Sequence, residues 1–196
     1  MKRMGSAERT TLETSIRCTF TIDGQGNAKV NTGIGFLDHM LTSLAKHGLF
    51  DVDVACKGDL HIDAHHTVED LGIVMGKAMK QALQDKAGIV RCGTAFVPMD
   101  EALSFVTLDI SGRPYLKFEA DFKGVMCGAF DTQLTEEFFR GLAMEAGLTL
   151  HMNVLYGAND HHMIESLFKA FARALDAASR LDGRFTDIPS TKGVLE

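Results

Sequence analysis

Apolar residues recur at two different periods along the chain, and each change of period marks an element. In "SIRCTFTID" Ile16, Cys18, Phe20 and Ile22 fall on every second residue, the spacing of a strand with one buried face. "DGQGN" reads as a turn, and "AKVNT" is expected to return as its hairpin partner. "GFLDHMLTSLAKHG" changes to a helical stripe of Leu37, Met40, Leu41 and Leu44, with Gly48 as the expected C-terminal stop. "FDVDVAC" is a short strand. The long segment "HHTVEDLGIVMGKAMKQALQD" then places Val68, Leu71, Met75, Met79 and Leu83 on one helical face.

The second half repeats these events. "EALSFVTLDISGRPYLKFEADF" reads as a hairpin turning near "SGRP", with Leu116, Phe118, Ala120 and Phe122 alternating in the returning strand. A helix over "DTQLTEEFFRGLAMEAG", a strand over "LTLHMNVLYG" and a long helix over "HHMIESLFKAFARALDAASRL" follow, and "GRFTDIPSTKGVLE" is irregular. "LAKHGL" answers "LAMEAGL". At an offset of 96 residues, His65, His66, Glu69, Leu71, Ala78 and Ala82 meet identical residues at 161, 162, 165, 167, 174 and 178. This is an internal duplication. It predicts an α+β fold of two similar halves related by a pseudo-twofold, about 10–92 and 93–182, plus a tail. No linker-like run separates them, so residues 1–196 are expected to form one domain.

Composition narrows the function classes. A formal charge of −6 offers no basic surface for nucleic acid. The polar opening "MKRMGSAERTTLETS" has no apolar signal region, and no apolar run approaches the roughly 20 residues that span a bilayer. Cys18, Cys56, Cys92 and Cys127 include no C-x-x-C pair and are expected to be free core thiols in a reducing cytoplasm.

The duplicated feature with chemistry in it is H-H-x-x-E. On a helix, residues three and four apart share a face, so Glu69 can converge with His65 and His66, and Glu165 with His161 and His162. Adjacent histidines are about 100° apart around the axis. They suit two metals or two partners better than one shared ion. Asp63 and Asp160 precede the pairs and are expected to help cap the helices. Imidazole nitrogen with carboxylate oxygen fits Mn, Fe(II), Co or Zn and suits Mg or Ca poorly. His39 and His151 sit near the ends of elements and bring the set to eight candidate ligands, four for each of two ions. His47 and His61 have no counterpart in the repeat; His47 is the better placed of the two to face the site. Arg91, Arg113, Lys169, Ser190, Thr191 and Lys192 form a group of guanidinium, ammonium and hydroxyl side chains suited to a phosphate. No Gly-rich phosphate loop is present.

Several long motifs together resemble the imidazoleglycerol-phosphate dehydratase family of histidine biosynthesis. They are "GFLDHML…KHG", "GDLHIDAHHTVEDLGI", "PMDEAL…LDISGRPYL", "TLH", "GANDHHMIESLFKAFARAL" and "IPSTKGVL". The resemblance runs from about Thr10 to Glu196. It implies two halves, each a four-stranded sheet with helices on one face. It also implies a cytoplasmic homo-oligomer of 24 subunits built from trimers, with active sites between subunits and two Mn ions per site. The implied ligands are His39, His65, His66, Glu69, His151, His161, His162 and Glu165. The implied phosphate contacts are Arg91, Arg113, Lys169, Ser190 and Lys192, and Glu13 of "TLETS" matches a glutamate near the substrate. Members of the family often carry Arg where this chain has Met126. That Arg is not among the phosphate contacts, so its loss bears on a subunit contact or the local charge balance.

The reaction so implied is loss of water from imidazole-glycerol phosphate to give imidazole-acetol phosphate; it is expected to pass through an imidazolate bound by the two Mn ions and a diazafulvene-like intermediate, with Glu13 as candidate acid/base and a metal-bound carboxylate or a histidine such as His47 assisting the leaving water. Two other readings compete. A dinuclear metallohydrolase would use the metals to activate water and would release phosphate. A metal-storage or assembly protein would use the histidine pairs only to tie subunits together, and would leave the cationic group without a purpose.

Overall fold

A computed structural model describes residues 2–184 and 186–195. The first half runs β1 (Met4–Thr10), β2 (Thr14–Thr21), β3 (Ala28–Asn31), α1 (Gly35–Gly48), β4 (Asp51–Gly58) and α2 (His65–Leu83). The second runs β5 (Cys92–Met99), β6 (Ala102–Asp109), β7 (Tyr115–Glu119), the small hairpin β8 (Met126–Cys127) and β9 (Phe130–Asp131), α3 (Leu134–Ala146), β10 (Thr149–Tyr156) and α4 (Asp160–Ser179).

The duplication is visible in the strand registers. The first sheet is ordered β1-β2-β4-β3 and the second β5-β6-β10-β7. Met4 pairs Thr21 in the first, and Cys92 pairs Asp109 in the second, each partner displaced by 88 residues. The last strand and the helices follow larger displacements, because the β8–β9 hairpin is inserted in the second half alone. Even the close approaches repeat. A Cβ on Gly5 would collide with the Ala78 carbonyl of α2, and one on Gly93 with the Ala174 carbonyl of α4.

The predicted helical stripes are the buried faces. Leu37, Met40, Leu41 and Leu44 of α1 are fully buried, as are Val68, Leu71 and Met75 of α2. Lys46 in the last turn of α1 places a cationic side chain at the negative end of its dipole. Phe138 and Phe139 of α3 pack on Phe168 of α4, with ring centroids 4.7–5.5 Å apart. This aromatic block fills space in a chain without Trp.

Neither expected hairpin forms. β4 lies between β2 and β3, and β3 runs parallel to β4 at the sheet edge. In the second half β7 pairs in parallel with β10 rather than with β6. The physical reason is burial. β4 spans eight residues and buries Val52 and Val54, whereas β3 has four largely exposed residues and can serve only as an edge. The "DGQGN" loop is tied to the start of β4 instead of closing tightly. Asp51 Oδ1 accepts from the backbone N–H groups of Gln25 and Asn27 and from the Asn27 amide, at 2.9–3.1 Å. Strands β1 and β5 were not expected from the sequence. Their solvent sides are polar, so the apolar alternation is weak there.

Three smaller expectations are also corrected. Gly48 remains helical, and Leu49 takes the left-handed cap conformation at φ 57°. Ala120 and Phe122 fall beyond the end of β7. Only Cys18 is a core thiol, with burial pushing its pKa up to about 12; Cys56 and Cys127 are half-buried and Cys92 is exposed.

The helices lie between the sheets, and the halves meet through them: α2 packs on α3, and α1 on α4. The α2–α3 contact is made at glycines. A Cβ on Gly76 would lie 2.6 Å from the Leu142 carbonyl oxygen, and one on Gly141 3.0 Å from that of Glu69. Gly76→Ala is therefore expected to destabilise the fold by about 1–3 kcal/mol through overpacking. Urea unfolding should show a lower midpoint at unchanged m-value. Gly183→Ala, where nothing lies within 4 Å, should leave the midpoint in place.

Candidate metal centre and active site

The first group of candidate ligands forms across the two halves. His39 comes from α1, and His161 and Glu165 come from α4. The start of α1 is locked by Asp38, whose carboxylate accepts from Thr32 N at 2.9 Å and Thr32 Oγ1 at 2.6 Å. The start of α4 is capped by Asn159, which accepts from the N–H groups of His161 and His162. Asn159 takes the cap expected of Asp160. Asp160 instead accepts from Lys123 N and Gly124 N, tying the β7–β8 connection to the helix start. Asp63, in the loop before α2, accepts from His65 N at 2.7 Å.

These supports bring one ligand atom each from His39, His161 and Glu165 to within 4.8 Å of one another. The Nε2 atoms of His39 and His161 lie 3.3 and 3.1 Å from Glu165 Oε2. Phe36 stands edge-on to the His161 ring at 5.1 Å and limits its rotation. Lys169 Nζ holds the other Glu165 oxygen at 2.6 Å. Burial works to raise the Glu165 carboxyl. The Lys169 ammonium and the two histidines outweigh it, so the pKa falls below its ordinary value. His47 is half-buried nearby. Burial, Lys169 and Arg173 push its pKa down against the opposing pull of Glu165.

In the equivalent place on α2, His65 Nε2 lies 3.8 Å from Glu69 Oε2. His65 also lines a cleft of about 480 Å³ together with Asp63, Met126 and Asp131. Met126, the departure from the family pattern, is exposed there.

The second histidine of each pair turns away from the first. The ring planes cross at 89° for His65 and His66 and at 78° for His161 and His162, with centroids 6.2 Å apart. His66 Nδ1 donates to Asp59 Oδ2 at 3.0 Å, and His162 Nδ1 donates to Glu101 Oε2 at 2.7 Å. These hydrogen bonds raise the pKa of both histidines, and His162 together with nearby backbone N–H groups holds Glu101 down at about 2. At the opposite nitrogen, Glu13 Oε1 lies 3.9 Å from His66 Nε2, and Asp100 Oδ2 lies 3.8 Å from His162 Nε2.

His151 stands apart. It alternates with buried Leu150 and Met152 on β10, so its ring is on the outer face of the second sheet, beside Tyr115 at 5.7 Å. The cationic group is also divided within one chain. Arg91, at φ 79°, forks onto Asp109 at 2.7 and 2.9 Å and donates to the Pro189 carbonyl at 2.8 Å. That last bond holds the tail, with Ser190, Thr191 and Lys192, beside Arg91. Arg113 lies just beyond β6, and among the described residues no carboxylate pairs with its guanidinium. Lys169 belongs to the His39 group.

Sequence reasoning missed Asp59, Asp100 and Glu101. Glu101 was available in principle. The strands repeat at 88 residues, and at that displacement Glu13 meets Glu101. The offset of 96, taken from the helices, hides the match.

A family model described as imidazoleglycerol-phosphate dehydratase matches residues 32–175. Imidazoleglycerol-phosphate dehydratase of Acetivibrio thermocellus is 58% identical over 195 residues, covering 100% of both chains. The enzyme of Ruminiclostridium cellulolyticum is 57% identical, covering 98% of this chain and 100% of its own. The crystal structure of the Staphylococcus aureus enzyme superposes with a TM-score of 0.83 at 42% identity, covering 91% of this chain and 99% of that one. The Pyrococcus furiosus enzyme gives 0.82 at 36% identity, covering 96% and 99%. The duplicated histidine–glutamate helices and these full-length similarities lead to one assignment: the chain belongs to the imidazoleglycerol-phosphate dehydratase family, hydro-lyases of histidine biosynthesis.

Proposed function

We propose that the chain converts D-erythro-imidazole-glycerol phosphate to imidazole-acetol phosphate using two Mn ions per site, in a homo-oligomer whose sites are completed by neighbouring subunits. The observation that carries this is the divergence of each histidine pair. His65 and His161 turn to their own glutamates, while His66 and His162 turn to separate carboxylates and present Nε2 elsewhere.

The residues present fit such a metal. Imidazole and carboxylate donors within 4.8 Å of one another match the preferences of a borderline divalent ion. The holding residues are His39, His65, His66, Glu69, His151, His161, His162 and Glu165. His151, on an outer sheet face apart from the other seven, supports sites shared between copies of the chain, and 24 subunits is the assembly proposed. When bound there, such ions would supply charge stabilisation for a substrate imidazole ring that has lost its proton.

The chain's own groups do the rest. The proton lost from the ring nitrogen goes to the adjacent side-chain hydroxyl, which the electron-rich ring expels as water, giving a diazafulvene-like intermediate. Glu13, exposed and facing the His66 side of the site, takes the neighbouring carbon-bound proton, and the resulting enol tautomerises to the ketone. His47, whose pKa is lowered, is neutral at pH 7 and assists as a hydrogen-bonding group rather than as a proton donor. Arg91, Arg113, Lys169, Ser190, Thr191 and Lys192 hold the phosphate, with groups from more than one subunit sharing the task. The four unpaired cysteines suit a reducing compartment, and we place the enzyme in the cytoplasm.

Chelator-treated protein is expected to regain turnover on adding Mn and to form the ketone without releasing phosphate. Phosphate release in the same assay would instead establish the hydrolase. Glu13→Gln should lower kcat by about 10²–10⁴-fold while bound Mn, measured by elemental analysis, stays at the wild-type level. Sedimentation should give a particle of 24 chains of 21.4 kDa each.

A further inference from the structure

We infer that Glu101 and Asp59 are positioning residues that fix the tautomers of His162 and His66, each accepting a hydrogen bond from Nδ1–H and so keeping the proton on Nδ1, which leaves the Nε2 lone pair free for a divalent cation. The inference rests on the metal-binding reading above and adds two residues to it.

The geometry is the same in both halves. An ionised carboxylate can only accept, so a contact of 2.7 Å from His162 Nδ1 to Glu101 and one of 3.0 Å from His66 Nδ1 to Asp59 both require the proton on Nδ1. A neutral imidazole then carries its lone pair on Nε2.

The duplication does not account for this likeness. Asp59 lies in the loop after β4, whereas Glu101 lies in the turn between β5 and β6. The segment that corresponds to Asp59, the end of β10 and the loop after it, contains Leu155, Tyr156, Gly157 and Ala158, none of them acidic. The residue that corresponds to Glu101 is Glu13, and Glu13 faces the other nitrogen of His66 at 3.9 Å. The two halves thus reach one arrangement with carboxylates from unrelated positions. A requirement on the histidine explains that; inherited symmetry does not. It also explains why Glu13 is free for proton transfer, since Asp59 performs in the first half the task that Glu101 performs in the second.

Glu101 offers a clean test because its other oxygen is already committed. Oε1 accepts from Ala158 N at 3.1 Å and Asn159 N at 2.8 Å. In Glu101→Gln the amide oxygen must stay on those two N–H groups, so the NH₂ faces His162 Nδ1 and must donate to it. The imidazole proton is then forced onto Nε2, while the loop remains clamped. At the other site, Asp59→Leu removes the acceptor, and Asp59→Asn restores one by turning its carbonyl oxygen to His66.

Mn binding to the full-length metal-stripped protein, followed by the electron paramagnetic resonance of free Mn, is the readout. Glu101→Gln and Asp59→Leu are each expected to weaken binding about 10–100-fold, with Asp59→Asn recovering most of the loss. The thermal midpoint of metal-free Glu101→Gln should match that of the wild type. Wild-type affinity in Glu101→Gln, or equal losses in Asp59→Leu and Asp59→Asn, would overturn the inference. Absence of Mn binding by the wild type would instead bring down the metal-dependent reading itself.

Discussion

The contact between α2 and α3 is the constraint on which the remaining geometry depends. Glycines at 72, 76 and 141 let the two backbones approach closer than any larger side chain permits. That approach fixes one half against the other. The opposite helix pair, α1 and α4, is held at the resulting separation, and His39, His161 and Glu165 meet in the space between them. No half contains this group alone. Its existence is a property of the docking, and the docking is a property of three missing methyl groups.

The helix starts are the second level of control. The histidine pairs occupy the first turns of α2 and α4, where backbone N–H groups lack intrahelical partners and ends tend to fray. Here they are over-determined. Asn159 caps α4, Glu101 clamps the loop before it, and Asp160 anchors the segment leading into β8. Asp63 and Asp59 act similarly around α2. Glu101 holds both backbone and imidazole, so the order of the α4 start and the aim of the His162 ring have one cause.

The sequence carried the helices and the repeated histidine–glutamate pattern plainly, because the 3.6-residue stripes of α1, α2 and α4 coincide with their buried faces. Pairing partners were less legible. The turn signals at "DGQGN" and "SGRP" are local, whereas the decision to place β4 beside β2 is made by burial of Val52 and Val54 far along the chain. Strands β1 and β5 escaped because their exposed sides are polar and the alternation is faint. At the site, Glu101 was hidden by loop insertions that shift the repeat between strands and helices. Asp59 has no counterpart in the other half, so no repeat could expose it.

The two halves have the same path but not the same equipment. His39 on α1 corresponds to Glu137 on α3, which pairs with Arg140 rather than with the His65–Glu69 side of the fold. In a symmetric dimer of identical half-chains, every substitution appears twice, so a histidine at one place would force a histidine at the other. Covalent fusion removes that restriction. Seen as history, the duplication matters less for the core it doubled than for the freedom it gave each copy to diverge. One copy carries His39, with Glu13 beside His66 Nε2; the other carries the β8–β9 hairpin, with Glu101 on His162 Nδ1.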